Sequence, residues 1–397
     1  VDSGYGVQTN LAAQWLAKQG HEVIISAFYG LRGAMFKMNG ITVLPGSNEQ
    51  WGNDVLVGHY DFYRPDVMFL LMDAWVIRPE VLKLIPAAVW APVDHDPIPA
   101  GVTAILTHVK WPVAMSRHGE QQMRKMMLDP YYVPHMVDAE IYRPVDRKAA
   151  RAAFGIYNDR FTAVTVAANK GFPPRKNVDR IMKGWALFKQ QQHVDGLLYI
   201  HTNAYASNGG LDLMDVADFY GLRAHIGTLK AGDSLDNYDV AFPDMYRMMR
   251  GDYGDDALNN AYNMADMFIL PSAGEGFGIP AIEAQAAGCP VALSDFTAQA
   301  ELAEAGYKIP IDPVDDRSYT LQFSEQALPK VSEIIKAYQW GYENRKNPAL
   351  REQARTFAMG YDVRHVMPRY LLPSMEWMAQ GNADWMQFEE YRRERVS

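Results

Sequence analysis

The chain has 397 residues, 48% of them hydrophobic and 21% charged, with a formal net charge of −9 and one cysteine. That length exceeds what one ordinary core supports, so two domains are expected. The negative balance argues against a broad nucleic-acid-binding surface, the lone Cys289 excludes an internal disulfide or a cysteine-rich metal site, and no apolar run reaches membrane-spanning length.

Val1 opens the chain in a loop motif, from which a strand upstream of this sequence is expected. In Ser3-Gly-Tyr-Gly6, Gly4 and Gly6 permit a tight backbone turn. Val7, Leu11, Ala12, Trp15 and Leu16 then mark one face of a helix that Gly20 stops. Strands are predicted over His21–Ser26, Ile41–Leu44, Val67–Met72, Ala88–Pro92 and Val113–Ser116. These are short apolar runs without strict alternation, as a parallel sheet covered on both faces requires. Val93-Asp-His-Asp-Pro97 places Asp94 and His95 at a strand end, where they offer acid/base and hydrogen-bonding groups or simply cap a loop. The charged stretch Tyr142–Lys148 reads as the approach to a linker.

The second half repeats the rhythm, with strands predicted over Phe161–Ala168, Gly196–His201, Met267–Leu270 and Val291–Ser294. After the first of these comes Asn169-Lys-Gly-Phe-Pro-Pro-Arg-Lys-Asn177, whose Lys170, Arg175 and Lys176 suit a diphosphate or make an ordinary solvated basic loop. The polar segment from Ala204 to Asp236 has no clear pattern. Alternating strands and helices on both sides of a linker predict an α/β chain of two Rossmann-like domains with parallel sheets facing across a cleft. The expected boundaries are 1–150, 151–370 and a helical segment at 371–397.

Pro271-Ser-Ala-Gly-Glu-Gly-Phe-Gly-Ile-Pro-Ala-Ile-Glu283 is the most informative stretch. A strand, a glycine-rich turn and a helix from Ile279 to Ala287 would turn the amides near Gly276, Phe277 and Gly278 toward an anion. Pro280 suits the first turn of that helix and Gly288 its stop. Glu283 shares the apolar face with Ile279, Ala286 and Ala287, so it is either a solvated glutamate at the rim or a buried carboxylate with ligand hydroxyls as partners.

This string, continued through Ala284–Val291, resembles the Glu-x7-Glu signature of retaining glycosyltransferases of family 4, which have the GT-B fold. The resemblance implies a C-terminal helix crossing back to the first domain. It also implies a nucleotide diphosphate sugar as donor, UDP- or GDP-linked. Glu275 would contact the donor sugar and Glu283 the ribose hydroxyls. Gly4 and Gly6 match the family's glycine loop near the diphosphate. Lys170 and Lys176 match the spacing of a family Arg and Lys, so lysine stands where arginine is usual, and the spacing leaves open whether Lys170 or Arg175 grips the diphosphate. His95 would contact a donor sugar hydroxyl and Asp94 orient the acceptor, with Asp73 and Trp75 as further acceptor-side candidates. The acceptor class (glycan, lipid or small molecule) is left open, as is peripheral contact with a membrane. The expected location is cytoplasmic.

No cofactor or metal is expected. Asp94-His95-Asp96 spells Asp-x-Asp, a metal-holding pattern of another glycosyltransferase fold, but the long signature belongs to GT-B, where helix amides and Lys/Arg can neutralise the leaving diphosphate. A retaining hydrolase needs carboxyl groups about 5–5.5 Å apart. Five helical residues from Gly278 to Glu283 already rise about 7.5 Å, which disfavours it. An epimerase or phosphorylase on the same fold and a non-catalytic nucleotide-sugar-binding protein are the remaining alternatives.

Overall fold

The computed structural model describes residues 3–28, 33–206, 209–229 and 233–396. Contacts divide the chain into two units: residues 1–136, 320–324 and 363–397 form the first, and residues 137–319 and 325–362 the second.

The first unit holds β1 (Ile24–Ser26), β2 (Phe36–Met38), β3 (Ile41–Leu44), β4 (Met68–Leu71), β5 (Ala87–Ala91), β6 (Trp111–Ala114) and β7 (Tyr131–Tyr132). They make two sheets, β1-β3-β2 and β4-β5-β6-β7. All pairings are parallel except β2 against β3. β5 is buried along its whole length, which explains its uninterrupted apolar sequence. The unit is completed from the far end of the chain. The Trp111 indole N–H donates to the Asn382 carbonyl at 2.6 Å, and Phe388 packs edge-on against Tyr131 at 4.7 Å.

The second unit holds β8 (Phe161–Val166), β9 (Gly196–His201), β10 (Ala224–Ile226), β11 (Val240–Phe242), β12 (Met267–Leu270), β13 (Val291–Ser294) and β14 (Tyr307–Ile309). They form one parallel sheet in the order β10-β11-β9-β8-β12-β13-β14. From β8 the next strand, β9, lies on one side, and β12 to β14 build out on the other. The order therefore reverses between β8 and β12. In open parallel sheets ligands bind beyond the carboxyl ends of the strands at such a point. A two-stranded antiparallel hairpin, β15 (Arg317–Tyr319) and β16 (Glu325–Ala327), follows.

β3, β9, β12 and β13 coincide with the predicted runs. β6 starts earlier and ends at Ala114, because Ser116 is taken as a helix cap: its hydroxyl accepts from the Gly119 N–H at 3.0 Å. The opaque segment after Ala204 contains a helix, Leu213–Phe219, started by Asp212, whose carboxylate accepts from the Met214 and Asp215 amides. Residues 207–208 and 230–232 of that segment lie outside the described residues. The first boundary falls after Met136 rather than at 150. The reason is local: Asn259 and Asn263, on the helix Asp255–Met264, accept from the Arg143 and Val145 amides at 3.1 and 2.9 Å, and Arg147 pairs with Asp266. The second boundary falls after Asp362 rather than at 370. Val137 and Asp362 form a parallel β-bridge, and the Asp362 carboxylate accepts from the Ala139 amide at 3.2 Å.

Candidate active site

Two loops meet at the point where the order of the second sheet reverses. The loop after β8 carries Lys170, Arg175 and Lys176, and the loop after β12 carries Glu275 through Gly278. A backbone bond and a side-chain bond fasten one to the other. The Ala273 amide donates to the Arg175 carbonyl at 2.8 Å, and the buried Asn177 side chain donates to the Pro271 carbonyl at 2.7 Å. The signature loop is further held from β13. Thr297 Oγ1 accepts from the Glu275 amide at 3.0 Å, and the Ser294 hydroxyl donates to the Ser272 carbonyl at 2.8 Å. Thr297 sits at φ 51° and ψ −144°, a strained setting for a β-branched residue, and such strain persists only where the surroundings over-determine it.

Glu275 is 5% exposed. Its carboxylate accepts from the Lys176 ammonium and, at 2.6 Å, from the Ser272 hydroxyl, with Arg175 Nη1 at 3.4 Å. Burial works against the charged form. The Lys176 and Arg175 charges, with hydrogen bonds from Lys176 and Ser272, outweigh it and hold the carboxyl below the usual carboxylate range. Arg175 also donates to the Gly274 carbonyl. Arg175 and Lys176 are thus brought together at Glu275, whereas Lys170 is exposed on the same loop.

The helix Ile279–Ala286 begins beside this cluster. Gly278 is its N-cap at φ 108°, a value that side-chain-bearing residues rarely adopt, and no side chain caps the first turn. Gly276 and Phe277 are buried in the approach, the Phe277 ring lying 5.7 Å from that of Tyr361. Glu283, on this helix, is 6% exposed, which rules out the solvated-rim alternative. Its Oε2 accepts from the Tyr262 hydroxyl at 2.8 Å. Burial, and then the neighbouring Glu283 charge, push the Tyr262 hydroxyl well above its ordinary value, so it stays a donor.

The first unit holds the other candidates. Asp94 and His95 follow β5. His95 is buried, and its Nδ1 lies 2.7 Å from Asp94 Oδ1. The His118 ring donates from Nε2 to the His95 carbonyl at 2.9 Å, and Asp96 Oδ1 accepts from the Gln122 amide at 2.8 Å. Gly4 and Gly6 do not form the expected loop. They lie in the first turn of the helix Gly4–Lys18, with the Ser3 hydroxyl accepting from the Gly6 amide at 3.1 Å. A serine one residue before a helix is a strong N-cap, and it overrode the freedom of the glycines. Arg117 pairs with Glu120 at 2.6 Å and covers the Tyr132 ring, a structural use. His135 packs edge-on against Trp90 at 4.5 Å, and burial depresses its pKa to about 3. Sequence reasoning missed Ser272 and Thr297 as supports of Glu275. Ser272 stood within the signature, but nothing local marked Thr297.

Residues 243–323, which contain the whole of this signature loop, match the family described as Glycosyl transferases group 1. The chain is 32% identical over 160 residues to the D-inositol 3-phosphate glycosyltransferase of Saccharomonospora viridis, a stretch covering 39% of this chain and 32% of that protein. The chain thus spans about a third of the length of the curated relatives it matches. Among solved structures it is similar to sucrose-phosphate synthase from Thermosynechococcus elongatus, with a TM-score of 0.67 at 15% identity over 96% of this chain and 94% of that one. It is also similar to Anabaena HepE in complex with UDP-glucose, with a TM-score of 0.65 at 13% identity over 96% and 97%. At these identities the likeness establishes the fold, and that fold is GT-B, built on α/β units with parallel sheets.

Proposed function

We propose that the chain is a retaining glycosyltransferase of the family-4 type, moving a sugar from a nucleoside-diphosphate sugar to an acceptor hydroxyl without a metal ion. The observation that carries this reading is the cluster of Glu275, Lys176 and Arg175 at the reversal of strand order, beside an uncapped helix start. The guanidinium, the ammonium and the helix N-terminus supply positive charge where a leaving diphosphate needs it, in place of a divalent cation. Lys170 is assigned a lesser part at the rim of the same loop. Glu283, buried with the Tyr262 hydroxyl as donor, is a fixed acceptor suited to ribose hydroxyls. One structural neighbour was solved with UDP-glucose, which favours UDP-sugars among the donors to test first.

The charge state of Glu275 disfavours one of the two roles that hydrolysis would give it, that of the general acid. A glycosidase acid needs a raised pKa, and here two cations hold the carboxyl down. We assign Glu275 to the donor sugar as an ionised acceptor. In the first unit, Asp94 holds His95 through Nδ1. With the proton there, Nε2 is an acceptor for a sugar hydroxyl, and Asp94 is assigned to acceptor orientation. The single cysteine is buried as a free thiol, which fits a reducing cytoplasm. Among the described residues no helix is long and apolar enough to cross a membrane, and contact with a membrane surface stays part of the proposal only as a peripheral one.

The test is a thermal-shift panel of UDP, GDP, ADP and their sugars, with and without EDTA. One nucleotide should raise the melting temperature, by about 2.7 kcal/mol of stabilisation at a hundredfold excess over Kd. Transfer in EDTA should proceed unimpaired. No shift with any nucleotide would sink the donor assignment. Binding without turnover across an acceptor panel would leave a nucleotide-sugar-binding protein.

A further inference from the structure

The positive groups gathered where the second sheet reverses its order already have an anion, and it belongs to the protein. Lys176 donates to Glu275 Oε1, and Arg175 Nη1 lies 3.4 Å from Oε2. The same side chain stands at the start of the helix Ile279–Ala286. A Cβ placed on Gly278, the N-cap, would come within 3.9 Å of Glu275 Cγ. A carboxylate beside a helix N-terminus is favourable in its own right. Glu275 thus takes the electrostatic place that a diphosphate would take, close to the ammonium, the guanidinium and the first turn together.

The partners are not equally fixed. Glu275 is anchored along its length. Its amide donates to Thr297 Oγ1 at 3.0 Å, and its Oε1 accepts from the buried Ser272 hydroxyl at 2.6 Å. The cations are the accessible side of the cluster: the Lys176 side chain is 17% exposed and that of Arg175 36%. Lys176 also has a flexible four-carbon stem, which can turn without moving the backbone. An incoming anion therefore meets the cations first, and the carboxylate stays where it is.

A diphosphate and a fixed carboxylate that share one set of cations compete for them, and like charges brought close repel. A bare nucleoside diphosphate binds only by loosening the pair. A buried carboxylate drawn away from its cations then needs new donors. The hydroxyls of a sugar on the diphosphate are such donors, and a nucleotide that has lost its sugar brings none to that place. We infer that Glu275 is an internal competitor for Lys176 and Arg175, and that it makes the site favour a nucleoside diphosphate that carries its sugar over one that does not. The inference rests on the donor-site reading and adds to it a bias between substrate and product. After transfer the carboxylate reclaims its cations, and the hold on the spent nucleotide weakens.

The test is isothermal titration of the full chain with inorganic diphosphate, with UDP, GDP and ADP, and with their sugars. Wild type, E275Q, K176M and the double variant are compared. The nucleotide that binds wild type should bind E275Q at least about threefold more tightly in its bare form, while its sugar-bearing form gains nothing. Inorganic diphosphate should follow the bare nucleotide. K176M should weaken the bare nucleotide, and E275Q added to K176M should tighten it by a smaller factor than E275Q alone, which is the coupling between the two side chains. E275D keeps the charge and draws it back by one methylene, so it serves where E275Q does not fold and should act in the same direction more weakly. Unchanged or weaker binding of the bare nucleotide in these variants overturns the inference, as does equal tightening with and without Lys176. Failure of the donor reading looks different: neither wild type nor any variant binds a nucleotide, bare or sugar-bearing, and the inference falls with it.

Discussion

At the carboxyl edge of the second unit's sheet the candidate groups are charged and buried, with Glu275 and Glu283 both almost fully enclosed. At the same edge of the first unit, Trp75 is aromatic and open to solvent, while His95 is buried and its partner Asp94 is partly exposed. The difference fits two tasks. A buried carboxylate costs several kcal/mol unless each charge has a partner, so it is retained where one fixed ligand must be held in one pose. An exposed ring constrains less what can lie against it. The second unit thus has the character of a fixed grip, and the first that of an open platform.

The contrast can be broken most forcefully at Glu275. Glu275→Gln keeps the shape but removes the charge that Lys176 and Arg175 face. Turnover should fall by about 10²–10³-fold, with a much smaller change in nucleotide Kd. Full activity in this variant, measured in a steady-state transfer assay, would refute the grip. Acid should next find a weakness shared by both units. His135 in the first unit and His201 in the second have folded pKa values lowered by burial to about 3 and about 4. Once unfolded, each binds a proton below about 6.5, so the unfolded state holds more protons and stability falls as pH drops from 6.5 toward those values. Each contributes a slope of up to about 1.4 kcal/mol per pH unit, or about 2 kcal/mol between pH 6.5 and 5. Urea unfolding at pH 7, 6 and 5 should show that slope, and His135→Gln should remove one histidine's share.

A smaller effect should appear at Gly278. Alanine there must adopt φ 108°, and there is room for its methyl group, so the cost is backbone strain of about 1–3 kcal/mol. Thermal unfolding of Gly278→Ala measures it directly, and an unchanged melting temperature would show that the turn relaxes. The smallest change should follow Lys170→Ala. Exposed and unclustered, it should shift nucleotide Kd by no more than about threefold, whereas Lys176→Ala should cost considerably more. Equal losses in the two variants would place Lys170 in the grip after all.

The two edges also differ in how far the sequence displays them. The grip lies in two contiguous strings, 169–177 and 271–283, because each is the loop that follows a buried parallel strand. β12 and β13 were legible for the same reason: fully buried parallel strands leave unbroken apolar runs. The platform draws on Trp75 and the neighbouring rings of Trp51 and Phe28, which come from three loops and share no local pattern. Thr297 supports Glu275 from a neighbouring strand's loop, a pairing that only the sheet order creates. Gly4 and Gly6 suggest a turn on glycine's freedom alone, and the capping power of Ser3 outweighs that freedom. Short strands such as β10 and β11, three residues each, offer too few side chains for a period to register.

The closure of the first unit by Asn382 and Phe388 sets an order of assembly. During synthesis the first unit's strands emerge before the second unit, but Trp111 and Tyr131 stay without this cover until residues 382–388 leave the ribosome. The second unit has all its segments by residue 362 and can consolidate beforehand. A stop codon near residue 363 would therefore damage the unit made first, leaving the second unit the better folded of the two.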